Sequence, residues 1–360
     1  MPEINDIIKK LLQNGSLSAH DLKYFDEADV QTSKTSSYKK TILVTGGAGF
    51  IGSNFIHYMM DKYQDYRIIN LDLLTYAGNP DNLIGIDEKR HYLVKGDIRD
   101  AEIVDKIMKK VNAVVHFAAE SHVDRSITRP QEFLSTNVIG TQVLLEAAKK
   151  YKIERFVHIS TDEVYGSIEE GYYKENDLLT PRSPYSASKA ASDMLVQSYH
   201  STYGLPVLIT RTSNNFGPRQ HPEKLIPLFI SNLLEDKKIP VYGYGLNRRD
   251  WIYVDDNCAA IDKVLHKGKI GEIYNIGTHD NELSNIEIIT MILRLLDKHP
   301  SIIEFVKDRP GHDFRYGIDM SKIKQLDWKH KYDLKTGLKK TVDWYCDNEW
   351  WWKKIKLNNK

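Results

Sequence analysis

The feature that most constrains the fold is a regular alternation of short apolar segments and longer amphipathic segments between residues 41 and 211. The apolar segments have the length and composition of buried strands, and the amphipathic segments have helical spacing. Strands that alternate with helices favour a parallel, doubly wound sheet with right-handed crossovers. We therefore predict an α/β fold with strands at residues 41–45, 67–72, 91–95, 113–117, 155–160 and 207–211.

The same pattern predicts helices at residues 53–63, 101–110, 130–151 and 186–203, and it loosens after residue 214. Beyond that point we predict helices at residues 225–235, 254–266 and 286–298, and a strand at 272–276 that rejoins the sheet. The expected organisation is an N-terminal extension and linker (1–39), a nucleotide-binding domain (40–213) and a smaller, interleaved C-terminal α/β substrate lobe (214–360). The extension is either a docking arm or a loosely ordered tail.

Composition excludes several classes of protein. Fifty Lys and Arg residues stand against 49 Asp and Glu residues, so the chain lacks the basic excess of a nucleic-acid binder. There are two cysteines, Cys258 and Cys346, without metal-ligand or disulfide spacing. No segment has the apolar length of a signal peptide core or of a membrane span. We expect a cytoplasmic protein that binds neither nucleic acid nor membrane, and no metal.

A glycine pattern follows the first strand. Gly47, Gly49 and Gly52 form GxGxxG between a predicted strand and a predicted helix, and Asp72 ends the next strand. Glycines let the backbone approach a pyrophosphate, the helix N-terminus supplies N–H groups, and Asp72 can accept hydrogen bonds from a ribose diol. A carboxylate there repels a 2′-phosphate, which predicts NAD rather than NADP in a Rossmann-type domain. Gly96-Asp97-Ile98, after the third strand, is placed for contact with adenine.

Polar side chains end the fifth predicted strand. Ser160, Thr161, Asp162 and Glu163 follow an apolar run, and parallel sheets place their chemistry at this end of the strands. Neighbouring acids in an apolar setting can divide into a proton donor and a proton acceptor. The alternative is a simple helix cap, because Ser, Thr and Asp are all good N-cap residues.

A phenol and an ammonium group share one helix face. Tyr185 and Lys189 are four residues apart in the segment YSASK. A nearby cation stabilises phenolate and lowers the tyrosine pKa from about 10 towards neutrality. Such a base can remove a hydroxyl proton during hydride transfer.

These motifs together resemble the extended short-chain dehydrogenase/reductase superfamily and, within it, the dTDP-glucose 4,6-dehydratases. The match runs from about residue 40 to the C-terminus. Its most discriminating element is the Thr-Asp-Glu triplet at 161–163. The segments that carry it are TGGAGFIG (45–52), LTYAGN (74–79), DIRD (97–100), AAESHVD (118–124), STDEVYG (160–166), YSASK (185–189), SNN (213–215), PEKLIP (222–227), RDW (249–251) and DRPGHD (308–313).

The resemblance implies an internal redox reaction. Tyr185, with Lys189 and Thr161, takes the 4-hydroxyl proton of a nucleotide sugar while the C4 hydride passes to NAD. Glu163 then removes the C5 proton, and protonated Asp162 gives a proton to the departing 6-hydroxyl. Hydride returns to C6, so the cofactor is regenerated. The implied cofactor-binding residues are Gly46, Gly49, Phe50, Ile51, Gly52, Asp72, Asp97, Ile98, Ala118, Tyr185 and Lys189.

The resemblance also implies a substrate-binding set and a homodimer paired through the helices at 130–151 and 186–203. The substrate-binding set is Ser121, Asn214, Glu223, Lys224, Pro240, Tyr242, Arg249, Asn275 and Arg309. Arg219 and His221 depart from the aromatic residues that relatives carry there. A dehydratase for UDP-glucose or UDP-N-acetylglucosamine, a nucleotide-sugar 4-epimerase and a non-catalytic NAD sensor therefore stay open as alternatives.

Overall fold

A computed structural model describes residues 38–308 and 311–358. Most of the predicted N-terminal extension, 1–37, lies outside the described residues. The chain forms two compact, interleaved units. Of the described residues, the first unit contains those up to Ile159 with Ala191–Ile209 and Lys269–Glu272, and the second contains Ser160–Ala190, Thr210–Gly268 and those from Ile273 onward. The chain thus first enters the second unit at Ser160, at the polar end of the fifth strand. The predicted boundary between residues 213 and 214 placed this stretch in the nucleotide-binding domain.

A seven-stranded sheet confirms the predicted fold class. Its strands are β1 (Lys40–Thr45), β2 (Tyr66–Asp72), β3 (His91–Lys95), β4 (Ala113–His116), β5 (Arg155–Thr161), β6 (Val207–Thr212) and β10 (Ile273–Ile276). The strand order is β10-β6-β5-β4-β1-β2-β3, so β10 joins the sheet as predicted. β1 pairs in parallel with β2 and β4, and β2–β3 and β4–β5 are parallel as well. Buried apolar residues fill these strands, as expected when helices cover both faces.

The helices of the sheet region connect successive strands. They are α1 (Phe50–Lys62), a 3-10 turn (Pro80–Leu83), α2 (Ala101–Met108), α3 (Val123–Thr128), α4 (Pro130–Phe133), a π-helical segment (Leu134–Gly140), α5 (Thr141–Tyr151) and α6 (Pro184–Tyr203). α1, α2 and α6 agree to within three residues with the helices predicted at 53–63, 101–110 and 186–203, whereas the 3-10 turn and α3 were not predicted.

The helix predicted at 130–151 is instead three consecutive segments. Its centre widens into the π-helical segment, which hydrophobic spacing alone does not distinguish from an α-helix. The Thr141 hydroxyl donates to the Asn137 carbonyl at 2.6 Å, which competes with the regular helical hydrogen bonds. The Asn137 side chain in turn bonds both backbone groups of Glu120, at 2.8 and 3.0 Å. The widened turn therefore fixes the loop that follows β4.

The second unit carries short strands that the sequence analysis did not predict. They are β7 (Asn214–Phe216), β8 (Ile239–Tyr242), β9 (Arg248–Tyr253), β11 (Glu282–Ser284) and β12 (Ile303–Val306). β11, β9 and β7 form one small sheet, and β12 pairs with β8. β7 and β11 have only three residues each, which is too short to show a period-two pattern in the sequence.

The helices of the second unit enclose an aromatic core. They are α7 (Leu225–Leu234), α8 (Val254–Lys267), α9 (Asn285–Leu295), α10 (Ser321–Lys324), α11 (Leu334–Asp347) and α12 (Glu349–Asn358). Phe216, Tyr345, Trp351 and Trp352 are buried together in this core. Within the described part of the chain, no helix combines the length and apolar character needed to span a bilayer.

Candidate active site

The loop after β1 approaches neighbouring backbone more closely than side chains would allow. Gly46 has φ +71°, and a Cβ atom there would lie 2.6 Å from the Ala118 nitrogen. A Cβ at Gly52 would lie 2.4 Å from the Gly46 carbonyl oxygen. Gly49 is the N-cap residue of α1 and provides no side-chain cap. The N–H groups at the start of α1 are thus not covered by a capping side chain. This arrangement fits the pyrophosphate of a dinucleotide. Phe50 and Ile51 begin the helix.

Asp72 stands at the end of β2, directly beside this loop. Its carboxylate accepts hydrogen bonds from the Ala48 and Leu74 N–H groups at 2.9 and 2.8 Å. Burial raises the pKa of Asp72, and these two bonds oppose that rise. The carboxylate therefore braces the glycine loop, a role that the sequence analysis did not foresee. Its predicted contact with a ribose diol stays a prediction.

The other predicted cofactor residues of the first unit border the same loop or the end of β3. Asp97 follows β3 and pairs with the Arg99 guanidinium at 2.5 Å. Ile98 is buried against Gly140, where a Cβ atom would lie 2.5 Å from the Ile98 side chain. Ala118 packs on Gly46, and Ser121 is exposed a few residues farther along the loop after β4.

The polar end of β5 turns directly into a single 3-10 turn, Asp162–Tyr165, which we call the acid turn. Thr161 caps it by accepting the Glu163 N–H at 3.3 Å, and its hydroxyl donates to Asp162 Oδ1 at 3.3 Å. The helix-cap interpretation is thus confirmed for Thr161, and the catalytic interpretation of this stretch stays a prediction. Asp162 is only 4% exposed, whereas Glu163 is half-buried.

The two neighbouring acids have different environments. Burial raises the pKa of Asp162 well above its usual range, and the charge of Glu163 raises it further. The charge of Arg249 and the Thr161 hydrogen bond oppose the rise without cancelling it. The raised pKa favours the protonated form of Asp162 over the carboxylate, which is the direction that a division of labour between the two acids requires.

Tyr185 and Lys189 lie in the first turns of α6. They are four residues apart on the helix and therefore on one face. Lys189 is 4% exposed and Tyr185 is half-buried. Ser183 fixes the start of the helix, because its hydroxyl accepts the Ser186 N–H at 3.0 Å. Thr161, Asp162, Glu163, Tyr185 and Lys189 all belong to the second unit.

Arg249 and Tyr316 also face the acid turn, and Tyr316 escaped the sequence analysis. Burial raises the pKa of Tyr316, the charges of Glu163, Asp313 and Asp162 raise it further, and the charge of Arg249 opposes the rise. The Tyr316 hydroxyl donates to Asp313 at 2.8 Å, and the Arg249 guanidinium lies 4.3 Å from the Tyr316 ring centroid. Nothing in the local sequence pairs position 316 with 162; only the fold does.

The residues predicted to hold the diphosphate are engaged inside the second unit. Arg249 is buried and donates to the carbonyl oxygens of Asp313 and Phe314 at 2.9 and 3.1 Å. Asn275 is fully buried, and its amide bonds Tyr165 and the Tyr173 carbonyl. Direct contact of Asn275 with substrate would require exchange of these bonds, so this geometry does not favour it. Arg309 lies outside the described residues.

The remaining predicted substrate residues are more accessible. Asn214, Glu223 and Lys224 are half-buried. Along β8 the side chains alternate, so that Pro240 and Tyr242 are exposed while Ile239 and Val241 are buried. Pro240 and Tyr242 therefore form an open face on which a planar base could stack.

The two departures from the family pattern occupy defined positions. Arg219 has φ +68° and is half-buried. Burial lowers its pKa, against the charges of Asp255 and Tyr253. His221 Nδ1 accepts the Glu223 N–H at 3.4 Å and lies 3.8 Å from its carboxylate. The Arg219 charge thus interacts with the Asp255 carboxylate in the second unit. His221 lies beside Glu223, which is one of the predicted substrate-binding residues.

Comparison with known proteins agrees with these motifs. Residues 43–341 match the family model described as GDP-mannose 4,6 dehydratase. The chain is 49% identical over 321 residues to a dTDP-glucose 4,6-dehydratase of Streptomyces antibioticus, covering 88% of this chain and 95% of the relative. It is 55% identical over 309 residues to the low-salt glycan biosynthesis protein Agl12 of Haloferax volcanii, covering 86% of this chain and 99% of the relative.

A solved structure extends the agreement to three dimensions. The dTDP-glucose 4,6-dehydratase DesIV of Streptomyces venezuelae, described with NAD and the ligand TYD bound, is similar with a TM-score of 0.86 at 50% identity. The match covers 88% of this chain and 99% of DesIV. This chain therefore belongs to the GDP-mannose 4,6 dehydratase family and, within it, groups with the dTDP-glucose 4,6-dehydratases.

Proposed function

We propose that this chain is an NAD-dependent hydro-lyase that converts dTDP-glucose to dTDP-4-keto-6-deoxyglucose. The observation that carries the proposal is the acid turn, in which buried Asp162, whose pKa is raised by burial and by the charge of Glu163, adjoins Glu163. A dehydrogenase or an epimerase needs a base at the 4-hydroxyl only. A dehydratase needs in addition one group that removes the C5 proton and another that protonates the leaving oxygen.

NAD held at the glycine loop would supply the hydride acceptor for C4 of the sugar and the hydride donor for C6. Tyr185, with Lys189 beside it on α6, removes the proton from the 4-hydroxyl, and Thr161 supports this contact. The resulting ketone acidifies the C5 hydrogen, which Glu163 removes. Asp162 gives its proton to the 6-hydroxyl, which leaves as water, and a proton returns to C5 as hydride reaches C6.

The first unit supplies the elements that fit the cofactor. Gly46, Gly49 and Gly52 present backbone to the pyrophosphate, and Asp72 holds the loop while its charge disfavours a 2′-phosphate. Asp97, Ile98 and Ala118 are proposed to line the adenosine part. In the second unit, Pro240 and Tyr242 offer a surface for the nucleotide base, with Asn214, Glu223, Lys224 and Arg249 proposed at the sugar and diphosphate.

The sugar specificity is tested by a panel of substrates. Purified protein is incubated with dTDP-glucose, UDP-glucose and UDP-N-acetylglucosamine, and the products are weighed by mass spectrometry. We expect a product lighter by one water from dTDP-glucose at the highest kcat/KM. Loss of water from a UDP-sugar alone would establish the alternative that the departures at Arg219 and His221 leave open. A product of unchanged mass with inverted C4 would indicate an epimerase.

We further infer a homodimer in the cytoplasm. Leu134 and Ile139 in the π-helical segment and Met194 on α6 are large apolar side chains that are more than half exposed, at 52%, 54% and 59%. They lie on the helices through which the family resemblance predicts pairing. Cys258 and Cys346 are both free thiols, which suits a reducing compartment. Light scattering of the purified protein measures the dimer, and a monomeric mass would refute it.

A further inference from the structure

Tyr165 closes the acid turn that Asp162 opens. Residues three apart in a 3-10 helix lie in line along its axis, so Tyr165 stands directly one turn below Asp162. The Gly166 N–H bonds the Glu163 carbonyl at 3.2 Å and ties the two ends of the turn together. A movement of the Tyr165 backbone therefore also moves the backbone that carries Asp162 and Glu163.

The Tyr165 hydroxyl is held on both sides. The side chain is fully buried. Its O–H donates to Asn275 Oδ1 at 2.8 Å and its oxygen accepts from Arg211 Nη1 at 2.8 Å, while the Arg211 guanidinium carbon lies 4.8 Å from the ring centroid. Burial raises the pKa of Tyr165 to about 12, so the phenol keeps the proton that it donates.

The partners of this hydroxyl are themselves fixed. Arg211 Nη1 also donates to the Glu175 carbonyl at 3.2 Å, and the Asn275 backbone N–H donates to the Glu175 carboxylate at 3.0 Å. The Asn275 amide donates to the Tyr173 carbonyl at 3.1 Å, and the Tyr173 ring stacks on Tyr165 at 5.1 Å. A buried network whose members satisfy one another is rigid and specifies one arrangement.

The backbone after the turn is equally constrained. The Thr180 hydroxyl donates to the Tyr165 carbonyl at 2.5 Å. Gly166 has φ +82°, and a Cβ atom there would lie 2.4 Å from the Thr180 carbonyl oxygen. Only glycine fits at position 166, because of its positive φ and its close approach to Thr180. Together with the Thr180 hydrogen bond, this fixes the position of the Tyr165 backbone.

We propose that Tyr165 is a positioning residue for the elimination step: its hydroxyl, clamped between Arg211 and Asn275, fixes the orientation in which the acid turn presents Asp162 and Glu163. The proposal rests on the proposed dehydratase function. Tyr185 and Lys189 are carried by a different element, α6, so oxidation at C4 does not depend on this clamp. Asn275 acquires a role through Tyr165 instead of through direct contact with the substrate.

The test separates the two half-reactions in Tyr165→Phe, which keeps the ring and removes only the hydroxyl. Single turnovers with dTDP-glucose in deuterated water are followed by the near-ultraviolet absorbance of reduced nicotinamide and by deuterium at C5. We expect unchanged C4 oxidation and KM, elimination slower by about tenfold to a hundredfold, and accumulation of the reduced cofactor. The ratio of the two rates belongs to folded molecules only, so partial unfolding does not alter it.

Tyr173→Phe is the matched control, because it removes a hydroxyl from the same ring stack. Within the described part of the chain, the Tyr173 hydroxyl bonds only the Ser167 carbonyl, at 3.3 Å. Its ratio of oxidation to elimination is expected to equal that of the wild type. Arg211→Lys, which withdraws the guanidinium fork from the other side of the clamp, is expected to shift the ratio in the same direction as Tyr165→Phe.

A wild-type ratio in Tyr165→Phe, or an equal shift in Tyr173→Phe, would overturn the proposal. If the wild type dehydrates a UDP-sugar instead of dTDP-glucose, the proposed substrate is wrong. The role of Tyr165 is then tested by measuring the same ratio with that UDP-sugar. If the wild type dehydrates none of the three sugars, the proposed function and this inference both fail.

Discussion

The glycine loop at 46–52 and the acid turn at 162–165 act by opposite means. The loop works because side chains are missing: added Cβ atoms at Gly46 and Gly52 would overlap backbone at 2.6 and 2.4 Å. The acid turn is proposed to work because a carboxyl group is buried in it. Burial and the charge of Glu163 raise the pKa of Asp162 and so favour its protonated form.

The difference determines what each region depends on. The loop packs against β1, the start of α1 and the loop after β4, and these contacts leave no room for a Cβ atom at Gly46 or Gly52. A short glycine pattern in the sequence is therefore enough to predict it. The acid turn depends on residues far along the chain, because Arg249 sets the charge beside Asp162, and Arg211 and Asn275 hold Tyr165. One region is thus specified by local sequence and the other by tertiary structure.

The largest effect is expected at the loop, from Gly52→Ala. The new methyl group would meet the Gly46 carbonyl and the Gly47 Cα atom, at 2.4 and 2.9 Å, and backbone cannot move aside as a side chain can. We expect unfolding free energy to fall by about 1–3 kcal/mol and bound NAD to be lost, and with it both half-reactions. Cofactor content after purification and urea denaturation measure the two effects.

Gly204→Ala is the control for this change. Gly204 also has a positive φ of +69°, but no atom lies within 4 Å of its added Cβ. This variant should lose about 1 kcal/mol of stability through backbone strain and keep its NAD. Equal NAD loss in both variants would show that the close approach at Gly52 is irrelevant to the cofactor.

A smaller and more selective effect is expected at the acid turn, from Asp162→Asn. The amide keeps the shape of the side chain but cannot donate a proton to the leaving hydroxyl. Elimination should slow by about 10²–10⁴-fold while C4 oxidation continues. The control is Asp177→Asn, an exposed change in the same unit, where the carboxylate bonds only the Lys174 N–H within the described residues; it should leave both rates unchanged. Normal water loss in Asp162→Asn would place the acid elsewhere.

The smallest effect concerns stability against pH. The pKa of Asp162 is raised in the folded protein, so the native state binds this proton more tightly than the unfolded chain. Its stabilising contribution is complete below the unfolded pKa of about 3.9 and declines as pH rises towards the folded pKa, by about 1.4 kcal/mol per unit of difference. Asp162→Asn should therefore gain stability relative to the wild type between pH 4 and neutrality, measured by urea denaturation. A constant difference would mean that Asp162 ionises normally.

The same contrast explains what the sequence could predict. The alternation of apolar and amphipathic segments located the strands of the large sheet, and adjacent carboxylates after a buried strand predicted a divided acid pair. The pattern could not show that Asp72 braces the glycine loop through the Ala48 N–H, because this requires the loop and β2 to be folded together. The widened helix at 134–140 was missed for a similar reason, since it follows from the Thr141 and Asn137 hydrogen bonds.

In the second unit the sequence analysis singled out functional candidates such as Arg249 but did not predict which residues surround them. Arg249 was expected to face a diphosphate, and the structure shows it buried on the Asp313 and Phe314 carbonyls beside the acid turn. Tyr316 was not predicted at all, because its proximity to Asp162 arises from a chain separation that no local pattern records. Short strands such as β7 and β11 likewise become recognisable only when their partner strands are present.

The central claim is that the acid turn converts an oxidation into a dehydration, and Glu163→Gln tests it most directly. The variant and the wild type are incubated with dTDP-glucose in deuterated water, and deuterium at C5 is measured by NMR alongside the absorbance of reduced nicotinamide. We predict that Glu163→Gln still reduces the cofactor and takes up no deuterium at C5. Deuterium uptake at the wild-type rate would contradict the account, because another group would then be the base.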